Sequence, residues 1–230
     1  MGEPSLVLAS NSPRRRELLA LGGWKFDIQP AEVDESPHPG ELPGTYVLRL
    51  AESKARACAA SPMIRGKMQN QEEVIVLAAD TTVVDGNVIL GKPKTGSEAL
   101  EMLHRLRNRV HQVHTGIVLL RMSDWNLATD LCVTDVPMRD YRDDEIETYV
   151  ATGDPLDKAG AYAIQHAQFH PVETLKGCYA SVMGLPLCHL TRTLRQIKVN
   201  PSDDISKQCQ SKLKYTCPIS TAVLQGEKIG

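Results

Sequence analysis

The residues that could do chemistry gather first in Val74 to Pro93, VIVLAADTTVVDGNVILGKP. Asp80 closes the apolar run Val74 to Ala79, and a carboxylate at the end of a buried strand is placed to act as a base or to hold a cation. Thr81 to Val84, the turn Asp85-Gly86 and Val88 to Leu90 read as two strands joined tightly, which folds Lys92 back toward the same cleft. An acid and an ammonium so placed suit a substrate that carries phosphates and a divalent ion. Near the start of the chain, Ser10-Asn11-Ser12-Pro13 supplies an N-cap and a proline at the first helical position, so Arg14, Arg15 and Arg16 crowd the first turn of a helix. Three cations oppose the helix dipole there, and a solvated basic turn is the bland account. An anion site is the better one, because the setting is strand, loop and helix with the hydroxyls of Ser10 and Ser12 at hand. Glu32, Asp34 and Glu35 form an acidic cluster, either solvated surface or a source of one ligand for a hard cation. Lys54 falls on an apolar helical stripe, where a lysine either snorkels to the edge or points into a cleft.

Other constellations fail on their chemistry. Gly86 to Lys92 has the G-x-x-x-x-G-K spacing of a phosphate loop, but Pro93 stands where that motif needs a hydroxyl and a helix start. His111 and His114 lie in a strand-like segment, where residues three apart face opposite sides, and Gln165 to Pro171 does not clearly make the helix that would pair His166 with His170. The six cysteines, Cys58, Cys132, Cys178, Cys188, Cys209 and Cys217, contain no C-x-x-C pair, so reduced thiols are expected and a zinc site is not. A net charge of −2 argues against a general nucleic-acid binder, so any phosphate binding must come from local basic clusters. No apolar run reaches the roughly 18 residues of a membrane span. Met1 to Pro4 lacks the regions of a signal peptide and Leu6 stands where myristoylation needs Ser or Thr, so a cytoplasmic protein is expected.

The elements that must position these groups follow from local signals. Leu6 to Ala9 reads as a strand, Pro13 to Leu21 as a helix, and Thr45 to Ala60 as a helix with Val47, Leu50, Ala51 and Cys58 inward. Ser61 to Glu73 reads as a loop, Ser97 to Arg107 as a helix capped by Ser97, and Val110 to Leu120 and Ala128 to Met138 as strands. Asp143 or Asp144 is expected to cap a helix ending at Gly153, followed by DPLDKAGAYAIQ as a functional turn entering a strand. An adjacent acid and base such as Asp157 and Lys158 can also simply pair and order that turn. Leu187 to Ile197 reads as a closing helix. With 42% hydrophobic residues the chain can bury a full core. Residues 1–198 are taken as one domain and 199–230 as a tail of low order, so truncation after Val199 is expected to leave activity largely unchanged.

The strings LASNSPRRREL, VDE, VLRLAESKA, AADTTVV, GKP, GDPLDKAGAYAIQ and VMGLPL occur here in the order seen in Maf-like nucleoside triphosphate pyrophosphatases, and from about Leu6 to Ile197 the chain resembles that family. The resemblance implies an α/β fold, a long twisted mixed β-sheet with flanking helices and two lobes around a nucleotide-binding cleft, often dimeric. It implies hydrolysis of a nucleoside triphosphate to monophosphate and pyrophosphate with a divalent cation (Mg, Mn or Co). Asp80 matches the family's catalytic aspartate. Ser10, Arg14, Arg15, Glu35, Lys54 and Lys92 match positions lining the phosphate and metal site, with Glu35 and Asp80 as the metal pair. Arg14, Thr81 and Gln165 match the positions that divide the family by base, and Asp80-Thr81 with Ile164-Gln165 resembles the dTTP/UTP branch rather than the 7-methyl-GTP branch. A neutral amide at Gln165 can both donate and accept toward a pyrimidine edge. Gly177 to Pro186, GCYASVMGLP, departs from the family's usual pattern. The alternatives are inosine, xanthosine or 7-methyl-GTP pyrophosphatase activity, or a nucleotide-binding regulator of cell division without turnover. No membrane partner and no stable nucleic-acid partner is expected.

Overall fold

A computed structural model describes residues 4–201 and 204–230; the first three residues, on which the leader expectation partly rests, lie outside these. In chain order the elements are β1 (Ser5–Leu8), α1 (Pro13–Ala20), β2 (Phe26–Ile28), α2 (Pro43–Ala59), α3 (Pro62–Gln69), β3 (Val74–Asp85) and β4 (Val88–Leu90). Then come α4 (Gly96–Leu106), β5 (Val110–Arg121), β6 (Leu127–Pro137), α5 (Asp143–Ala151), two 3₁₀ turns (Asp154–Asp157 and Ala159–Ala161), α6 (Tyr179–Val182), α7 (Leu187–Gln196), α8 (Ile205–Leu213) and α9 (Ser220–Leu224). The strands form one mixed sheet in the order β2-β1-β3-β5-β6, with β4 paired to β3. This is the mixed α/β sheet with flanking helices that the sequence implied.

The long strand β3 carries the architecture. Its first half is apolar on every residue, as a strand covered on both faces must be. There β1 pairs with it in parallel, ending at Leu8↔Leu77, while β4 pairs antiparallel from Val83↔Leu90 onward. Between these partners Ala78 to Thr82 keep β5 on one side, Asp80 facing Gly116, but among the described residues have no strand on the other. A cleft opens where one neighbouring strand leaves and the next arrives, the usual place for a ligand in an open α/β sheet. On one side of it lie the cores built on β1, α1, α2, α7 and the first half of β3. On the other lies a second core in which Val83, Leu103, Val113, Tyr141, Tyr149 and Tyr162 meet. These are the two lobes.

Gly116 fixes the approach of α2. A Cβ built there would lie 2.9 Å from the carbonyl carbon of Val47, so glycine lets the helix lie flush on β5 directly opposite Asp80. The helix then runs past the mouth of the cleft, with Val47, Leu50, Ala51, Ala55 and Cys58 buried and Lys54 at its edge.

Five expectations need correction. The stretch read as a loop contains α3, capped by Ser61, whose hydroxyl accepts from the Ile64 N–H; it buries only Ile64, too little for a period to show. The N-cap of α4 is Thr95, which accepts from the Glu98 N–H, and Ser97 is already inside the helix. Asp143 and Asp144 occupy the first turn of α5 after an N-cap at Arg142, where they favour the dipole without capping. The segment from Asp154 makes two 3₁₀ turns and leads into further turns rather than a strand. Residues 199–230, expected to be a tail of low order, include α8 and α9, which bury Ile205, Cys209 and Val223. Among the described residues no helix is long and apolar enough to cross a membrane.

Candidate active site

Ser10, Arg14, Arg15, Glu35, Lys54, Asp80, Thr81, Lys92 and Gln165 all line one cleft of about 710 Å³. That volume lies in the range of small-molecule sites. Its floor is the stretch of β3 that is paired on one side only. Asp80 is buried there, and α2 brings Lys54 against it, with the ammonium 2.6 Å from Asp80 Oδ1 and 2.7 Å from Glu35 Oε1. Glu35 comes from the loop after β2, which Tyr46 pins by donating from its hydroxyl to the Glu35 carbonyl at 2.8 Å. One ammonium therefore serves two carboxylates. Burial raises the pKa of Asp80 from its ordinary value despite the charges of Lys54 and Arg15. At Glu35 burial also pushes upward, but it is shallower, and the hydrogen bond and charge of Lys54 outweigh it, leaving a net fall. Depth separates two acids that share a counter-ion.

The second half of the site is the loop from β1 into α1. Ser12 caps the helix by accepting from the Arg15 N–H at 3.4 Å, and Ser10 Oγ accepts from the Ser12 N–H at 3.2 Å. The Arg15 side chain folds inward. Its Nε donates to the Gly184 carbonyl at 2.9 Å, one Nη donates to Ser10 Oγ at 3.4 Å, and the other to Thr81 Oγ1 at 3.2 Å. Burial draws its pKa below the ordinary arginine value, with Asp80 opposing. Gly184 has φ of +106°, and a Cβ there would sit 3.4 Å from both Arg15 Nε and Thr81 Oγ1. The backbone conformation is what requires glycine, since a Cβ at that distance would make only an ordinary contact.

Donor and acceptor counting orients Thr81. Thr115 Oγ1 lies 2.9 Å from the Ser181 carbonyl, which can only accept, so Thr115 donates there. The 3.0 Å contact between Thr81 and Thr115 is then a donation from Thr81. Since Arg15 donates to Thr81, the Thr81 hydroxyl has spent its proton and one lone pair inside the protein. Toward the cleft it can accept but not donate.

Arg14 and Lys92 line the cleft without an ion-pair partner among the described residues. Lys158 lines it too, but its ammonium is held by Asp154 Oδ1 at 3.0 Å and Asp157 Oδ1 at 2.5 Å, so the acid and base of this turn order the loop. Gln165 is exposed on the far lip, beside Tyr162. His111 Nε2 lies 2.8 Å from the Tyr162 hydroxyl and ties that wall to β5. His111 and His114 are not brought together as ligands: the first is buried, while the second bonds Gln112 at 3.1 Å. Among the described residues no three His, Cys, Asp or Glu side chains gather as a metal-binding group. The convergence of Glu35 and Asp80 nevertheless fits a small hard cation, which takes one or two carboxylates and completes its shell with phosphate oxygens and water.

Sequence reasoning missed Thr115, Tyr46 and the carbonyls of Ser181 and Gly184. Thr115 had only a weak signal, a hydroxyl just before the apolar run Ile117 to Leu120; its register opposite Thr81 shows only in the fold. A backbone carbonyl has none.

Comparison with known proteins agrees with this geometry. The family model described as Maf-like protein matches residues 5–197. A protein of Citrifermentans bemidjiense named dTTP/UTP pyrophosphatase is 43% identical over 197 residues, covering 86% of this chain and 97% of its own. One of the same name from Geobacter sulfurreducens is 43% identical, covering 86% and 98%. Another from Anaeromyxobacter dehalogenans is 45% identical over 195 residues, covering 84% and 94%. With the cleft, its carboxylate pair and its arginine-bearing helix start all inside the matched span, the chain belongs to the Maf-like protein family.

Proposed function

We propose that this chain is a nucleoside triphosphate pyrophosphatase that hydrolyses dTTP and UTP to the monophosphate and pyrophosphate. One observation carries the reading: Asp80, Lys54, Glu35 and Arg15 converge at the break in strand pairing, in a chain about 43% identical over most of its length to dTTP/UTP pyrophosphatases. Lys54 holds Oδ1 of Asp80, and Oδ2 makes no hydrogen bond among the described residues, so it is left to accept from a water. That water attacks the α-phosphorus, Asp80 takes its proton, the α–β phosphoanhydride bond breaks, and pyrophosphate leaves with the bonding electrons. Burial raises the pKa of this carboxylate, which makes it a stronger proton acceptor than an exposed one. Arg14, Arg15, Lys92 and the N–H groups at the start of α1 bind phosphate oxygens, on which charge grows in the transition state. Ser10 positions Arg15 and the loop. Glu35 and Asp80 would hold a divalent cation (Mg, Mn or Co), which supplies neutralisation of phosphate charge when bound.

Gln165 reads the pyrimidine edge through its amide, while Thr81 acts as an acceptor and as a stay for Arg15. A cytoplasmic location is supported by the free state of all six cysteines, and a homodimer is carried over from the family resemblance, for which light scattering is the check. A screen of nucleoside triphosphates with pyrophosphate detection tests the reading, and dTTP and UTP should be the best substrates. Asp80→Asn should lower kcat by about a hundredfold or more with the fold intact. A folded, active Asp80→Asn protein would overturn the assignment. Turnover of 7-methyl-GTP or inosine triphosphate in preference would move the substrate class, and dTTP binding without pyrophosphate release would make the protein a sensor.

A further inference from the structure

The family match ends at residue 197, yet the chain beyond it is built into the fold. Ile205 and Cys209 of α8 join the core that contains Cys178, Ala180 and Leu185, the segment leading to Gly184. At the end of α8 Lys214 takes a left-handed conformation with φ of 49°, and the Tyr215 N–H bonds back to the Gln210 carbonyl at 3.1 Å. This helix ending reverses the chain and turns Tyr215 onto the body. The Tyr215 hydroxyl lies 3.1 Å from the Leu175 carbonyl and 2.9 Å from the Gly177 carbonyl, donating between them, and its ring packs on Tyr179 with centroids 5.5 Å apart. The segment so pinned, residues 175–184, supplies the two carbonyls that anchor the active site: Ser181 for the Thr115–Thr81 pair and Gly184 for Arg15 Nε.

We propose that α8 and the turn after it that carries Tyr215 form a brace for the active site and that Tyr215 is a positioning residue. By holding residues 175–184 from behind, it fixes the Gly184 and Ser181 carbonyls and thereby aims Arg15 at the triphosphate. Among the described residues Arg15 has no carboxylate to lock it, only neutral acceptors, and two of its three side-chain partners, Gly184 and the Thr81 that Thr115 orients, depend on this segment. The sequence alone marked the tail as dispensable, but this network makes it part of the catalytic geometry. The inference rests on Arg15 binding the substrate's phosphates.

The test is a double-mutant cycle of Tyr215→Phe with Arg15→Lys, reading kcat/KM on dTTP, the Kd of α,β-methylene dTTP and Tm. Tyr215→Phe keeps the ring and removes the donor. It should lower kcat/KM roughly tenfold, within the range of loss that small misplacements at a reacting centre produce, and weaken analogue binding, with Tm close to wild type. In the Arg15→Lys background the same change should cost little more, because the residue it positions is gone. Val223→Ala, in α9 and away from this network, should lower Tm while leaving the activity of folded protein at the wild-type level. Wild-type kcat/KM and Kd in Tyr215→Phe would overturn the brace, as would losses that simply multiply in the double variant. Absence of pyrophosphate release from the wild type would instead count against the proposed reaction, and the Kd arm of the cycle would still decide the brace.

Discussion

His111 makes a quantitative demand on the pH dependence of stability. The ring is buried, and burial pulls its pKa down from 6.5 to about 4, against weaker upward pulls from Asp85 and Asp135. In the unfolded chain it titrates normally. Between these values the unfolded state binds the proton and the folded state does not, so the contribution is fully present above about pH 6.5, declines as the pH falls, and is gone below about pH 4. A difference of about 2.5 units is worth about 3 kcal/mol in total, of which ~1.4 kcal/mol should be lost between pH 8 and pH 5.5. For a chain of this size that is a Tm change of about 3–6 °C. Other groups titrate in the same range, so the quantity to measure is the difference between wild type and His111→Gln, whose amide oxygen can still accept from the Tyr162 hydroxyl. Urea unfolding of both proteins at pH 8, 6.5 and 5.5 should show the wild-type advantage shrinking by that amount. A difference that stays constant across the three pH values would mean that His111 is not held neutral, and the wall of the cleft formed by Tyr162 would need another account.

Three further outcomes test the site. Thr81→Val should reduce kcat/KM for dTTP, UTP and CTP by similar factors, since it frees Arg15 without touching a base contact; a selective loss on one nucleotide in the kinetic comparison would make Thr81 a reader of the base. Gln165→Glu should lower kcat/KM on dTTP and UTP about tenfold or more, because it removes an amide donor and turns a carboxylate toward base carbonyls, and an unchanged rate on dTTP would remove Gln165 from base recognition. Chelation should stop pyrophosphate release, and Glu35→Gln should raise the divalent-ion concentration required by about tenfold or more in calorimetric titration, whereas an unchanged titration would take Glu35 out of the metal pair.

The fold was legible where local chemistry decides it. The unbroken apolar run of β3, the Ser12-Pro13 start of α1 and the spaced Leu187, Leu190 and Leu194 of α7 each carry their own signal, and each element formed where that signal placed it. The signal failed where an element owes its existence to a surface made elsewhere. The helix α3 buries one residue, and α8 buries Ile205 and Cys209 against a face that α6 and α7 present only after folding. The Asp204 cap of α8, which accepts from the Lys207 N–H at 3.2 Å, could have been read. In the site, Asp80 announced itself as a charge ending an apolar strand. What could not be read was the partner of each group: that Lys54 reaches both Asp80 and Glu35, or that Arg15 ends on a carbonyl far along the chain at Gly184.

Those partners divide the cations of the cleft into two kinds. Lys54 and Lys158 are each shared between two carboxylates, so in the absence of substrate their charges are already more than compensated. Arg15 is equally well fixed, but by a carbonyl and two hydroxyls, none of which neutralises it. Arg14 and Lys92 pair with no carboxylate among the described residues. An incoming triphosphate therefore meets three uncompensated cations and a helix N-terminus. Lys54 meanwhile keeps a buried Asp80 from the full cost of its burial. Were Lys54 spent on the phosphates alone, Asp80 and Glu35 would face each other unpaired and the deeper acid would take up a proton, losing its ability to act as a base. Neutral anchors for Arg15 and a shared ammonium for Asp80 and Glu35 solve two different electrostatic problems within one cleft.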